Sequence, residues 1–316
     1  MVQLLASRRE DADFRHPVRN NQDNACVVEY EGDSRVTGGP ARRILVATDL
    51  SPQAGLAVTR AVQLADEHGA ALSALYVLPD GLDDDLVDEA THELTTHLAE
   101  HAEGDGVEAV VRRGRAACEI AAEAVRCSAE LTVVGARGER GFVETFLGTT
   151  ADNLMRLSPV PVLLVRKSVT GPYRIVVLAV DTSEPSAAAA RFGCELTPSA
   201  HHILVHACTV VGENLMRMHG ASDEQIEELH ATATELVNED IMRLGVTLTP
   251  HPARVIVTPG YPPTRLLELS RSYAADAIVV GTGARSPVAY AFLGSVAQYV
   301  MRESLSDVLV VPAVEN

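Results

Sequence analysis

The sequence is poor in lysine and carries a strong excess of acidic residues. Lys167 is the only lysine among 26 basic residues, and the formal net charge of the 316 residues is −17. A protein that binds nucleic acid needs clustered positive charge to release phosphate counterions. An acidic surface repels such a polymer, so we expect no nucleic-acid partner.

Aromatic side chains are also scarce, and the apolar residues are mostly aliphatic. Aromatic residues make up 4 % of the chain and tryptophan is absent, whereas hydrophobic residues as a group reach 47 %. The cores must therefore be built from Val, Leu, Ile and Ala, a composition typical of parallel α/β sheets. A length of 316 residues suits two domains of ordinary size.

Features of a disulfide framework, a membrane span and a secretion signal are missing as well. No apolar run approaches the roughly 20 residues that cross a bilayer, and the N-terminal MVQLLASRRE lacks the apolar region of a signal peptide. The odd number of cysteines and the lack of a CxxC pair favour reduced, buried thiols. We therefore expect a cytoplasmic protein without a membrane partner. The cysteines are Cys26, Cys118, Cys127, Cys194 and Cys208.

One segment of the chain recurs near its end. Residues 131–157 read LTVVGARGERGFVETFLGTTADNLMRL, and residues 277–303 read AIVVGTGARSPVAYAFLGSVAQYVMRE. Gly281 lies 146 residues after Gly135, and the same separation holds over some fifty residues. We interpret the chain as a tandem duplication.

The repeats divide the chain into a tail and two domains. Residues 1–40 are polar and non-periodic and predict a flexible tail, within which the apolar run Ala25 to Val28 could pack locally. The first domain is expected over residues 41–167 and the second over residues 168–316, joined by the short linker KSVTGPY.

The early parts of the two repeats have a different separation. Asp49 and Asp181 end the first strands and lie 132 residues apart, so the second repeat has gained about fourteen residues before Gly260. The connection that contains Met216 to Met218, with the helix after it, is the simplest place for them.

Each repeat alternates five apolar strands with helices. This alternation predicts an α/β fold with two tandem doubly wound, Rossmann-like parallel sheets. In such sheets the ligand crevice lies at the carboxyl ends of the strands, where the winding direction reverses. With strand order 3-2-1-4-5, Asp49 after strand 1 and Gly135 after strand 4 would face each other across that crevice.

A glycine-punctuated loop follows the fourth strand of the first repeat. Gly135 and Gly138 allow a tight turn and close ligand approach. Gly148 and Thr149 begin a helix, where free N–H groups and the positive end of the helix dipole attract an anion. The loop therefore favours a phosphate chain. Glycines that merely turn the chain, and an Asp49 that merely caps a helix, remain the alternatives.

The spacing G-x2-G-x9-G-[S/T], with an aspartate after the first strand, resembles the ATP-binding type of universal stress protein. The resemblance covers roughly residues 41 to 313, as a tandem of two such domains. It implies an adenine nucleotide as ligand, expected to be ATP with or without Mg²⁺, and a role as a stress-response regulator or sensor. It also implies that the last strands, VPVLLV and DVLVVP, pair edge to edge as an intramolecular pseudo-dimer. Further homodimerisation stays open.

The resemblance implies a role for each matching residue. The first-domain residues are Asp49 on the nucleoside, Val77 on adenine, Gly135 and Gly138 along the ribose and phosphate path, and Gly148, Thr149 and Thr150 on the phosphates. The second-domain residues are Asp181, Ala207, Gly281, Gly294 and Ser295. Ala284 stands where the pattern has its second glycine, although Gly283 could shift the turn. The first domain is therefore expected to be the more intact site.

Rival nucleotide folds and enzyme chemistry fit less well. A P-loop needs Gly-Lys-[Ser/Thr], but Lys167 follows Arg166, and the dinucleotide-binding glycine pattern is not met after a first strand. No convincing acid–base pair accompanies Arg137, Arg140 or Arg285, so we expect no catalytic residues and at most slow ATP hydrolysis. The alternative is a nucleotide-free scaffold of the same fold that recruits a client protein.

Histidines offer the remaining chemical possibility. His97 and His101 lie one helical turn apart, with Asp83 to Asp85 upstream, and a second group lies around a strand at His201, His202 and His206. The spacing supplies no third ligand at a fixed position, so the sequence predicts no metal site.

Overall fold

The structure of the protein is a computed structural model. It shows one long sheet with helices on both faces. The residues that it describes are 18–20, 25–29, 41–81, 85–102, 106–136, 148–209, 212–283 and 293–313.

The elements follow the predicted alternation in both repeats. The N-terminal strands are β1 (Val18–Asn20) and β2 (Ala25–Glu29). The first domain contains β3 (Arg43–Thr48), α1 (Pro52–His68), β4 (Ala71–Leu78), α2 (Asp85–His101), β5 (Val107–Arg113), α3 (Ala116–Arg126), β6 (Leu131–Gly135), α4 (Thr149–Leu157) and β7 (Val162–Val165). The second domain contains β8 (Ile175–Ala179), α5 (Glu184–Leu196), β9 (His201–Cys208), α6 (Glu213–Met218), α7 (Asp223–Thr247), β10 (Arg254–Pro259), α8 (Pro262–Ser272), β11 (Ala277–Gly281), α9 (Ser295–Glu303) and β12 (Asp307–Val311).

The sheet topology confirms the predicted strand order. The first domain runs β5-β4-β3-β6-β7 and the second runs β10-β9-β8-β11-β12, which is 3-2-1-4-5 in each. The last strands meet in antiparallel register, with Leu164 opposite Val308. Because this pairing joins the two domain edges, neither last strand presents an open row of backbone donors and acceptors.

The core explains the aliphatic composition. Alternate residues of β3 face opposite sides of the sheet: Ile44 and Val46 pack with the helices α1 and α2, whereas Leu45 and Ala47 pack with α3 and α4. Since both faces are covered by helices, the central strands are apolar at successive positions.

The linker between the domains is fixed by a buried carboxylate. Asp307 at the start of β12 is fully buried and accepts hydrogen bonds from the backbone N–H of Arg166 at 2.7 Å and of Lys167 at 3.0 Å. The Tyr173 hydroxyl donates to the same carboxylate at 2.7 Å, and the Arg60 guanidinium lies 3.9 Å from the Tyr173 ring centroid. Burial, and then the Asp307 charge, raise the pKa of Tyr173 well above its ordinary value. Both ends of the linker therefore bind the last strand of the second domain.

Part of the predicted tail forms strand. β2 pairs in antiparallel register with β10, with Val27 opposite Ile256. The apolar run predicted to pack locally therefore extends the sheet of the second domain. The rest of the segment, apart from β1, lies outside the described residues, so the flexible tail stays a prediction there.

Two further expectations can be compared with the structure. The extra residues of the second repeat form α6 and part of α7, which has 25 residues against 17 in α2. The cysteine expectation was wrong at Cys118, which is exposed. Helix α3 turns Ala117, Ile120 and Ala124 towards the core, and its periodicity leaves Cys118 on the solvent side.

Candidate functional site

The crevice lies between β3 and β6, where the direction of winding reverses. These strands are parallel neighbours, with Ala47 opposite Val134. Strand β4 lies on the far side of β3 and β7 on the far side of β6. Asp49, just past the end of β3, and Gly135, at the end of β6, therefore reach the same edge of the sheet, as the sequence predicted.

Asp49 is held by the serine that begins α1. The Ser51 hydroxyl and backbone N–H both donate to Asp49 Oδ1, at 2.6 and 3.2 Å. Ser51 is the N-cap, since its Oγ accepts the Ala54 N–H at 3.2 Å. The capping role that was left open for Asp49 thus belongs to Ser51, and Asp49 orients the cap.

Asp181 repeats this arrangement in the second domain. Its Oδ1 accepts the hydroxyl of Ser183 and the Ser183 N–H, the latter at 2.8 Å. Burial opposes ionisation of Asp181, but the hydrogen bonds from the Ser183 hydroxyl and amide, together with Ser186 and the charge of His206, hold the pKa of this carboxyl below its ordinary value. Ser183 is the N-cap of α5.

Helix α4 starts against the end of β6. The Gly148 N–H donates to Ala136 O at 3.1 Å, and the first intrahelical bond runs from Asp152 N to Gly148 O at 3.0 Å. The backbone N–H groups of residues 149 to 151 precede that ladder and point out of the helix end. Gly148 supplies no capping side chain, and Thr149 and Thr150 are exposed beside it. The helix end is therefore equipped to donate hydrogen bonds to an anion.

Helix α9 starts in the same way. Gly294 N donates to Thr282 O at 3.1 Å, and Ser295 next to it is exposed. A Cβ on Gly294 would lie 3.0 Å from Thr282 O, which is backbone and already bonded. The φ of Gly294, −57°, is open to any residue, so the close approach to Thr282 O, rather than the backbone conformation, favours glycine here.

The remaining loop glycines differ in what they do. A Cβ on Gly281 would lie 3.3 Å from Pro185 O at the start of α5, so this glycine permits close packing of strand and helix. Gly283 has φ +65° and therefore lies in the left-handed region that favours glycine. Gly138 and Ala284 lie outside the described residues, as do the loop arginines Arg137, Arg140 and Arg285.

The two residues expected on the adenine also reach this edge. Thr48 pairs with Tyr76, so Val77 on β4 lies beside Asp49, and it is half-buried. Ala207 holds the same place on β9 beside Asp181 and is 8 % exposed. The smaller Ala207 offers less apolar surface.

Two arginines near α4 were not anticipated. Arg115 and Arg156 line a cavity of about 380 Å³ together with Thr149 and Thr150. Arg115 follows Gly114, which is one of the repeated glycines, and that neighbourhood is the only sequence signal for it. The residue 146 positions later is Tyr261, so this guanidinium belongs to the first domain alone.

No helix in the described parts of the chain is both long enough and apolar enough to span a membrane.

Comparison with solved structures supports the tandem architecture. A functionally unknown protein from Pseudomonas aeruginosa PAO1 is similar over 86 % of this chain and 93 % of its own, with a TM-score of 0.61 and 20 % identity. A universal stress protein from Archaeoglobus fulgidus DSM 4304 is similar over 86 % of this chain and 99 % of its own, with a TM-score of 0.59 and 20 % identity. Both likenesses concern the fold.

Sequence comparison identifies the family. The universal stress protein YxiE of Bacillus subtilis (strain 168) is 32 % identical over 145 residues, which cover 39 % of this chain and 98 % of the relative. The relative therefore matches about one domain. The sequence model of the universal stress protein family matches twice, over residues 40–166 and 172–312. The chain belongs to the universal stress protein family.

Proposed function

We propose that the chain binds an adenine nucleotide, with ATP as the expected ligand, in the crevice of the first domain and acts as a regulator or sensor in a stress response. One observation carries the proposal. Helix α4 begins without a side-chain cap, tied to the end of β6 by the bond from Gly148 N to Ala136 O. Asp49 lies at the end of the neighbouring strand β3.

The donor set suits a phosphate chain. The N–H groups of residues 149 to 151 and the hydroxyls of Thr149 and Thr150 can all donate to phosphate oxygens, and the helix dipole favours their negative charge. Arg115 lines the same cavity as Thr149 and Thr150 and adds positive charge beside the start of α4, whereas Arg156 lines that cavity from the last turn of the helix and pairs with Asp152. Such a set would bind a triphosphate without any further group.

The other end of the crevice suits a nucleoside. The Asp49 carboxylate can accept hydrogen bonds from ribose hydroxyls, and Ser51 keeps it in place. The half-buried Val77 next to it offers an apolar surface for a base. These side chains bind and orient a ligand, so the proposal is nucleotide binding with at most slow hydrolysis.

Two measurements test this proposal. Mass spectrometry identifies any nucleotide that freshly purified protein releases, and thermal unfolding measures the shift in melting temperature on adding ATP with and without Mg²⁺. The Gly148→Asp variant places a carboxylate at the N-cap, where it can cap α4 and repel phosphate. We expect the variant to fold, to release no adenine nucleotide and to show no ATP-dependent shift.

The matched control is Gly106→Asp. Gly106 is exposed, and a Cβ there would have no neighbour within 4 Å. This variant should retain nucleotide like the unchanged protein. If the unchanged protein releases no nucleotide and ATP leaves its melting temperature the same, the proposal is wrong.

That negative result would favour a nucleotide-free scaffold that recruits a client protein. Helices α6 and α7 carry large apolar side chains that are well exposed: Leu215 at 60 %, Met218 at 82 % and Leu236 at 77 %. Such side chains mark contact surfaces when they cluster. The extra residues of the second repeat lie in these same two helices.

A further inference from the structure

Three potential metal ligands lie together on helix α2 of the first domain. One ligand atom each from His97, Glu100 and His101 lies within 4.8 Å of the other two. The two imidazole rings are 4.9 Å apart between centroids and inclined at 64°. The sequence suggested a pair of histidines, and the helix adds Glu100 on the same face because residues three and four positions apart are neighbours.

Each histidine is oriented by a threonine from a neighbouring element. The Thr48 hydroxyl lies 3.2 Å from His97 Nε2, and the Thr59 hydroxyl lies 3.3 Å from His101 Nδ1. Thr59 donates its own proton to Gly55 O at 3.0 Å, so it is placed to accept an N–H from His101. A hydrogen bond on one ring nitrogen, which fixes the tautomer and the ring orientation, is the usual support of a metal-ligating histidine.

Helix α1 makes room for His101. A Cβ on Gly55 would lie 2.3 Å from His101 Nε2, so any larger residue would displace the ring from its present place. The residue 132 positions after Gly55, in the matching helix of the second domain, is Ala187. The pocket for this ring is therefore specific to the first domain.

The burial of the three ligands fits a site that opens to solvent. His97 is 8 % exposed, His101 is half-buried and Glu100 is exposed. A set of two imidazoles and one carboxylate is typical of Zn²⁺ sites that keep one coordination position for water or another ligand. Imidazole ligands also favour transition metals over Mg²⁺ or Ca²⁺.

We propose that His97, Glu100 and His101 bind one divalent transition-metal ion, with Zn²⁺ as the expected ion, where α2 packs against α1. None of its ligands belongs to the proposed nucleotide site, although the cluster adjoins it, since Thr48, which contacts His97, directly precedes Asp49. The three ligand atoms lie within 4.8 Å of one another, so binding one ion at about 2 Å from each requires the side chains to move closer together.

Metal titration tests the site. The protein used is the full chain, without an affinity tag, without nucleotide and freed of metal. Zn²⁺ binding is followed by calorimetry, and Co²⁺ serves as a visible-absorption probe of the coordination geometry. We expect one ion per chain and a tetrahedral Co²⁺ spectrum. The His101→Ala variant should bind at least about tenfold more weakly, and Glu100→Gln, on the exposed face, should weaken binding without affecting the fold.

The Thr59→Val variant separates a built site from chance surface histidines. It keeps all three ligands and removes the hydroxyl next to His101, so we expect about tenfold weaker binding. The controls on the same helix are His92→Ala and Glu93→Gln, which change exposed residues outside the cluster and should leave binding as it is. Equal effects of His92→Ala and His101→Ala would overturn the proposal. So would unchanged binding in both of the single variants Glu100→Gln and Thr59→Val, or the absence of one-ion binding in the unchanged protein.

Discussion

The two domains have nearly the same hydrogen-bond frame around the crevice but different surroundings. Both place an aspartate after the first strand, where a serine N-cap donates to it. Both tie the start of the fourth-strand helix to the residue after that strand, through Gly148 in one domain and Gly294 in the other. The glycine contacts join backbone groups, which need a partner in either domain.

The helices over the outer strands have diverged. The first domain has α2 alone, with His97 and His101 against α1, whereas the second has α6 and the longer α7. Strand β10 is largely buried and bordered by β2, while β5 is half-exposed at the sheet edge. Changes in these regions leave the crevice frame intact, so each domain could acquire its own surface without losing the fold.

The largest expected effect concerns Asp307, the buried carboxylate at the start of β12 that binds the linker between the domains. Asp307 has no counterpart, since Pro161 lies 146 positions earlier. The Asp307→Ala variant would leave the Arg60 charge and the Tyr173 hydroxyl buried without their carboxylate. We expect a loss of about 3 to 5 kcal/mol in unfolding free energy by urea titration. Asp240→Ala, which removes an exposed partner of Arg243, should cost under about 1 kcal/mol; equal losses would contradict this account.

The next largest effect concerns the nucleotide. If the first domain is the better site, Asp49→Ala should weaken ATP binding roughly tenfold to hundredfold, the range for a hydrogen bond to a charged group. Asp181→Ala should change it little, because Ala207 offers the base less surface than Val77 does. Calorimetric titration of both variants measures the difference. A larger loss in Asp181→Ala would reverse the assignment of the stronger site.

The smallest effect distinguishes the two helix caps. The Ser51 cap bond to Ala54 N is 3.2 Å, whereas the Ser183 bond to Ser186 N is 3.5 Å. We expect Ser51→Ala to cost about 1 kcal/mol in unfolding free energy and Ser183→Ala less. Thermal unfolding of both variants at one pH would show the difference, and the reverse order would refute it.

Ser183→Ala should also change the titration of the Asp181 carboxyl group. The folded-state pKa of Asp181 lies below its ordinary value, so its ionised form stabilises the fold above that value, and the contribution is lost as the pH falls through the folded pKa. Without the Ser183 hydroxyl the pKa of Asp181 should rise towards normal. Carboxyl NMR titration measures this, and an unchanged pKa would mean that the Ser183 amide, Ser186 and His206 hold the pKa down without the hydroxyl.

Much of the fold could be predicted because its determinants are local or repeated. The constant separation of Gly135 and Gly281 indicated two copies, and apolar runs such as Ile44 to Ala47 indicated buried parallel strands. Ser51 followed by Pro52 is a local pattern typical of a helix start, and Ser51 is indeed the N-cap of α1. Asp49 and Gly135 were brought to one edge by the strand order alone.

Other features could not be read from spacing. Arg115, at the start of α3, lines one cavity with Thr149 and Thr150 of α4, and no periodicity links these two helices, which β6 separates in sequence. Glu100 joins His97 and His101 only once α2 presents one face to α1. Strand β2 pairs with β10 more than 200 residues away, and local composition alone predicted a tail.

The sequence by itself determined the duplication, the α/β class and the family pattern, because periodicity and turn chemistry act over a few residues and recur in both copies. Tertiary structure decided which side chains from distant segments share a surface: the arginines at α4, the histidines and glutamate against Gly55, and Asp307 beneath the linker. The physical reason is that burial and charge pairing depend on how helices pack on the sheet, and packing joins residues that no local pattern connects.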